Sequence, residues 1–190
     1  MMSERYKTKE KEKGYFVTFT ITEWEKILLD DDFKIIVTDA IRHCQQNRGL
    51  LLYAYCIMPN HVHLIVRSEG NESVSQILRD LKKHTSKEIV SRLQASLSPE
   101  SKRMLAVFKA AGDKLKRIKG FKVWIDGNRP VVLFSNKFIW QKLQYIHENP
   151  VGAGLASGPL DYKFSSARNY AEMEGVLDVH FIDPPVRTYR

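Results

Sequence analysis

The chain has 190 residues, 43% of them hydrophobic, which suits one folded domain with a real core and argues against a disordered chain. No apolar run approaches the roughly 18 residues of a membrane span, and the polar N-terminus lacks the apolar centre of a signal peptide. Two cysteines make no disulfide framework, so we expect a cytoplasmic protein without a membrane partner, while the net charge of +8 favours a polyanionic partner.

The first half of the chain predicts a strand, a helix and a hairpin. Residues 14–22 are β-rich, and residues 33–48 have apolar side chains at helical spacing. The aspartates at 30–32 suit the start of that helix and Gly49 suits its end. Residues 51–58 and 61–68 read as two strands joined by a Pro-Asn turn, and a second helix follows to about residue 93.

The second half is less regular. Residues 94–120 look like an elaboration that contains a short basic helix, and residues 120–127 contain a strand that 129–135 extends or pairs with. Ser135 caps a strong last helix over 136–149, which Pro150 stops, and a tail with one short helix follows. This order predicts an α+β fold of the ferredoxin-like, split β-α-β type, with helices on one face of an antiparallel sheet. The other face is left for the last helix or a ligand.

The positive charge is concentrated in residues 79–122, which hold 13 lysines and arginines against 4 acidic residues. Two interpretations are open: a solvated helix face, or a surface that binds nucleic-acid phosphates. The candidate phosphate-binding residues are Lys82, Lys83, Lys87, Arg92, Lys102 and Arg103. Trp124 is either a stacking platform for a base or a core residue, and Arg129 is a further candidate for contact with DNA.

Two histidines, His61 and His63, occur in the otherwise apolar segment "IMPNHVHLIV". Residues i and i+2 of a strand share a face, so the two imidazoles lie side by side as a metal-ligand pair or as two hydrogen-bonded histidines. The last helix offers a third ligand in the amide oxygen of Asn149. Tyr145 lies one turn before Asn149 on the same helical face. Two imidazole nitrogens and an amide oxygen suit Mg²⁺ or Mn²⁺, whereas the alternative for Tyr145 is core packing.

The segments "MPNHVHLIV", "YIHENPVGAGL" and "DYKFSSARNY" together resemble the HUH-type single-tyrosine transposases of small insertion sequences, most of all the REP-associated tyrosine transposase branch. The resemblance spans about residues 14–170 of a single HUH domain, followed by a tail at 171–190. It implies that His61, His63 and Asn149 hold a divalent metal. It also implies that Tyr145 attacks the scissile phosphate, forms a 5′-phosphotyrosine and frees a 3′-hydroxyl.

The resemblance further implies a substrate of single-stranded DNA with a hairpin or palindromic ends. Relatives of this kind act as homodimers or as monomers, and both states remain open here. Two other classes stay open as well: a non-catalytic ferredoxin-like module that binds nucleic acid, and a metal-dependent phosphodiester hydrolase that does not use Tyr145. Loss of a covalent adduct on changing Tyr145 would separate the transposase from both.

Overall fold

The structure, a computed structural model, describes residues 13–115, 120–128 and 130–184. The strands are β1 (Gly14–Thr20), β2 (Leu50–Ile57), β3 (His61–Ser68) and β4 (Val131–Leu133); the helices are α1 (Asp31–Arg48), α2 (Val74–Ala95), α3 (Pro99–Asp113), α4 (Asn136–Gly152) and α5 (Ala167–Tyr170). None of the helices in these ranges is long and apolar enough to cross a membrane.

The four strands form one antiparallel sheet in the order β2-β3-β1-β4. The first and third strands therefore lie at the centre, and the chain order of strands and helices is that of a split β-α-β unit. The predicted α+β, ferredoxin-like architecture is confirmed.

The alternation of side chains along the central strands divides the molecule into two layers. Val17 and Phe19 of β1, with Leu64 of β3, belong to a large core that includes the apolar sides of α1 and α2. Phe16 and Ile65 point to the other face, where they pack with the apolar side of α4 in a second, smaller core. The last helix thus occupies the face that the sequence left open, mainly over β2.

Local signals set the helix ends. The Asp30 carboxylate accepts a hydrogen bond from the backbone N–H of Asp32, and Gly49 ends α1 in the left-handed conformation at φ 66°. Ser73 and Ser135 cap α2 and α4 through their hydroxyl oxygens, which accept backbone N–H groups of the first turn. These ends follow from residue type alone, and three of the four, at Asp30, Gly49 and Ser135, were predicted from it.

Two expectations are corrected. Residues 120–127 form no regular strand: Trp124 makes a single bridge to Ile21, and the fourth strand is Val131–Leu133. In addition, Pro150 does not stop α4, which continues to Gly152. A proline this close to the end removes only its own N–H, and the carbonyl of Pro150 still accepts the N–H of Leu155. Asn149 therefore lies inside the helix.

Candidate active site

Two imidazoles lie side by side on the sheet face that α4 partly covers. His61 and His63 follow each other at period two on β3, and their ring centroids are 4.6 Å apart. The neighbouring strand β1 places Thr20 opposite His61 and Thr18 opposite His63. Val62, between the two histidines, points into the large core on the other face.

Each imidazole is held at Nδ1 by a side-chain oxygen. Asn60 Oδ1 lies 2.7 Å from His61 Nδ1, and Thr18 Oγ1 lies 2.8 Å from His63 Nδ1. The Asn60 amide donates in turn to the carbonyl of Trp24, which orients its oxygen toward His61. When both Nδ1–H groups donate to these oxygens, each Nε2 atom carries a lone pair instead of a proton, which is the form that a metal ligand needs.

His63 carries an unpartnered polar atom inside the protein. Its side chain is only 4% exposed, and its Nε2 atom is buried without a hydrogen-bond partner. Burial lowers the pKa of His63 to about 3, helped by the positive charges that His61 and Lys142 can carry. Because a buried unsatisfied nitrogen is costly, this atom is a candidate for binding a ligand.

His61 is also kept neutral. Burial lowers its pKa, and a hydrogen bond to Asn149 offsets that effect in part. Neutral imidazoles are the form that binds metals, so both histidines are ready ligands near pH 7.

Helix α4 brings the other two predicted site residues to the histidines. The Tyr145 ring centroid lies 5.3 Å from that of His63, and Asn149 reaches His61 one turn later. Tyr145 is 47% exposed, and with Asn149 it lines an open depression of about 400 Å³. A substrate phosphate therefore has access to the phenol oxygen from solvent.

The donor set fits a hard divalent cation. Within the described ranges, no three side chains of the His, Cys, Asp and Glu types cluster around a common point. Two imidazole nitrogens and the Asn149 amide oxygen are the available donors, and substrate oxygens or water would complete the sphere. These residues fit Mg²⁺ or Mn²⁺ better than a structural zinc, which is typically enclosed by four protein ligands.

Three residues of the site were not predicted from the sequence. Thr18 and Asn60 orient the histidines, and Lys142 lies with its ammonium nitrogen 5.6 Å from the Tyr145 ring centroid. Lys142 was detectable in principle, because it precedes Tyr145 by one helical turn. Thr18 was not, because its approach to His63 depends on the pairing register of β1 with β3.

Half of the predicted phosphate-binding residues are engaged within the protein. Lys82 donates to the carbonyls of Ile125 and Gly127, at 2.8 and 3.0 Å. Arg92 pairs with Asp32, and Arg103 pairs with Glu25 and Glu100. The three cationic groups therefore already have hydrogen-bond or ion-pair partners within the protein, which makes them poor candidates for binding DNA phosphates.

The other three, Lys83, Lys87 and Lys102, are exposed. They belong to α2 and α3, whereas α4 and the histidine pair lie on the opposite face of the sheet. The structure therefore does not bring them to the candidate active site.

Trp124 is a core residue, so the stacking-platform alternative does not hold. It is 4% exposed, packs edge-on against Phe19, and donates its indole N–H to Thr85 Oγ1 at 3.0 Å. A base has no open ring face to stack on. Arg129 lies outside the described residues.

A larger groove of about 1040 Å³ lies elsewhere, between residues 23–33 and the ends of α2 and α3. Its charged lining is mainly acidic: Glu23, Glu25, Asp30, Asp32 and Glu100 outnumber Lys26, Arg92 and Arg103. Such a surface repels phosphate, so its size does not make it the candidate site.

Comparison with known proteins finds similarity to transposases. The family model described as "Transposase IS200 like" matches residues 12–104. The solved structure of a REP-associated tyrosine transposase bound to a REP hairpin is 18% identical, covers 100% of both chains and has a TM-score of 0.65. A Deinococcus radiodurans R1 protein described as a transposase is 22% identical and covers 78% of this chain and 97% of its own, with a TM-score of 0.39. Among curated proteins, none matches.

Proposed function

We propose that the chain is an IS200-like transposase, as the match of residues 12–104 to that family model supports, and that it cuts and rejoins single-stranded DNA through Tyr145. One observation carries this proposal: Tyr145 is exposed beside two neutral imidazoles, one of which has an unpartnered buried nitrogen. A phenol, a neighbouring metal-ligand pair and an amide oxygen are the parts that phosphodiester transfer needs.

In this proposal, His61, His63 and Asn149 hold Mg²⁺ or Mn²⁺. The metal would act as a Lewis acid that withdraws charge from the scissile phosphate. Thr18 and Asn60 keep the two rings oriented, and the half-exposed Tyr145 approaches the phosphorus from the helix side.

The Tyr145 oxygen attacks phosphorus and loses its proton, while the bond from phosphorus to the 3′ oxygen breaks. The leaving oxygen takes up a proton and becomes a 3′-hydroxyl, and the 5′-phosphate stays on Tyr145. The phosphotyrosine keeps the phosphodiester free energy, so another 3′-hydroxyl can displace Tyr145 without ATP.

The substrate we propose is single-stranded DNA with a hairpin beside the cut. The solved transposase that shares this fold over its whole length is bound to a REP hairpin, which favours the REP-associated branch for this chain too. The exposed Lys83, Lys87 and Lys102 are the best placed of the predicted basic residues to hold a hairpin stem.

The experiment is covalent capture. A hairpin-bearing single strand labelled at its 3′ end is incubated with the protein and Mg²⁺, then run on a denaturing gel. We expect the label at the mass of the protein for the wild type and its complete loss in Tyr145→Phe, because no phosphotyrosine can form.

Tyr53→Phe is the matched control, since Tyr53 lies on the same side of the sheet but on β2. It should keep the adduct. An adduct that persists in Tyr145→Phe means another nucleophile, and cleavage by the wild type with no adduct at all favours the metal-dependent hydrolase. Binding without cleavage favours the non-catalytic module.

A further inference from the structure

A row of aromatic and basic side chains leads along α4 to Tyr145. Phe134 precedes the helix, and Phe138, Lys142 and Tyr145 follow at spacings of four, four and three residues. Residues at such spacings lie on one helical face, and at 1.5 Å per residue Phe138 lies about 10 Å along the axis from Tyr145. The row therefore begins within a few nucleotides of the proposed cleavage point.

The first part of this row is an aromatic pair in which Phe134 is exposed and Phe138 is half-buried. The rings of Phe134 and Phe138 stack at 4.9 Å between centroids and 20° between planes. Phe134 is nevertheless 79% exposed, so a large apolar ring face stays in contact with water. An aromatic face in that position is a stacking surface for a nucleobase, which is sequence-tolerant because every base has a flat face.

The second part is a cation without an acidic partner. The Lys142 ammonium nitrogen lies 4.9, 5.4 and 5.6 Å from the ring centroids of Phe16, Phe138 and Tyr145. Within residues 13–115, 120–128 and 130–184, no carboxylate pairs with Lys142. Its charge is therefore available to a phosphate that lies between the aromatic pair and Tyr145.

We propose that Phe134, Phe138 and Lys142 form a track for the single strand that enters the active site, with a base stacked on Phe134 and a backbone phosphate on Lys142. The assignment rests on the proposed function for the identity of the strand. Continuity with Tyr145 and the alternation of aromatic and basic groups favour single-stranded DNA over a protein partner.

Affinity for a fluorescent oligothymidylate, measured in EDTA at low salt, tests the track without any cleavage. Phe134→Ala should weaken binding about tenfold through loss of one stacked base, and Phe134→Trp should restore it. Lys142→Ala should weaken binding and make the salt slope shallower by about 0.7, the value for one phosphate contact with a single strand.

Two matched controls exist. Phe181 is 63% exposed and contacts Tyr170 edge-on, outside the row, and Lys137 is exposed on α4 but turned away from Lys142. Phe181→Ala and Lys137→Ala should each leave affinity within twofold of the wild type.

Wild-type affinity in Phe134→Ala overturns the track, and so does an equal loss in the controls. No measurable binding by the wild type also overturns it. Val131 and Val132 of the edge strand β4 are partly exposed near Phe134, so the sedimentation of each variant is measured too. A dimer that Phe134→Ala dissociates, with unchanged DNA affinity, identifies the patch as a protein interface instead.

The capture experiment is run separately on the same proteins. If the wild type binds DNA through Phe134 but forms no adduct, the tyrosine mechanism is refuted and the track is not. An adduct together with unchanged affinity in Phe134→Ala refutes the track alone.

Discussion

His63 shows how a single hydrogen bond assigns the chemistry of a side chain. An imidazole has two nitrogens, and the one that carries the proton cannot bind a metal. Thr18 lies 2.8 Å from Nδ1, so a proton held there leaves the buried Nε2 as the ligand atom. Thr18, which orients the His63 ring, thus comes from another strand and takes no part in the proposed reaction itself.

Thr18→Val tests this role. The change keeps the shape of the side chain but removes the acceptor for His63, so we expect the affinity for Mn²⁺ to fall about 10- to 100-fold. Isothermal titration with Mn²⁺ measures it, and Thr18→Ser should restore the wild-type value. Thr20→Val, on the same strand and face, should have little effect; equal losses in both threonine variants would contradict a specific role for Thr18.

Cys44 gives a prediction for alkaline pH. Burial raises the pKa of its thiol to about 11, against about 8.5 in an unfolded chain. Between these values the folded protein keeps the proton and the unfolded chain loses it, so the free energy of unfolding falls by about 1.4 kcal/mol per pH unit. In reducing buffer, urea titrations from about pH 8 to pH 10 should show a shallower decline for Cys44→Ala; parallel declines would refute the assignment.

At the scale of the element, α4 combines a structural and a chemical side. Leu143 and Ile146 are buried against the sheet, while Lys142, Tyr145 and Asn149 face the histidine pair. The helical period alone separates these two sides. Continuation of the helix through Pro150 holds Asn149 in a regular turn, which makes its distance from Tyr145 a property of the helix.

In helix α2, the basic residue Lys82 has a structural role. Lys82 donates to the carbonyls of Ile125 and Gly127, so its ammonium group ties the helix to the segment before β4. We expect Lys82→Ala to destabilise the protein by about 1–3 kcal/mol, because the acceptors lose a charged donor. Lys83→Ala, next to it but exposed, should change stability by less than about 0.5 kcal/mol. Urea unfolding distinguishes them, and equal small effects would show that Lys82 is only a solvated lysine.

At the scale of the whole molecule, the sheet separates two charged regions. The histidine pair and Lys142 lie on the α4 side, whereas Lys83, Lys87 and Lys102 lie on the helices of the other side. A DNA hairpin that uses both must pass around an edge of the sheet. Binding of the stem and chemistry at the cut should therefore respond to different substitutions.

The triple variant Lys83→Ala, Lys87→Ala, Lys102→Ala tests that separation. Its affinity for a hairpin should fall and its salt slope should become shallower by about 0.9 per lost duplex contact. Adduct formation at saturating DNA should persist, because these lysines lie away from Tyr145. A triple alanine variant at Lys26, Lys137 and Lys163, three exposed lysines elsewhere, removes the same charge; if it lowers affinity equally, only net charge matters.

The sequence by itself determined the order of the elements, the helix ends at Asp30, Gly49 and Ser135, and the shared face of His61 and His63. These are local properties, because capping and the two-residue period of a strand depend on neighbours in the chain. For the same reason, the helical period was enough to place Tyr145 and Asn149 on one face of a helix.

Only the tertiary structure decided which neighbours those residues have. The pairing of β1 with β3 brings Thr18 to His63, and the packing of α4 brings Tyr145 within 5.3 Å of the same ring. Folding also placed Trp124 in the core and brought the ammonium group of Lys82 to the carbonyl of Ile125. Such contacts join residues far apart in the chain. Local propensity therefore does not determine which side chains become buried, or which acceptor a charged group will find.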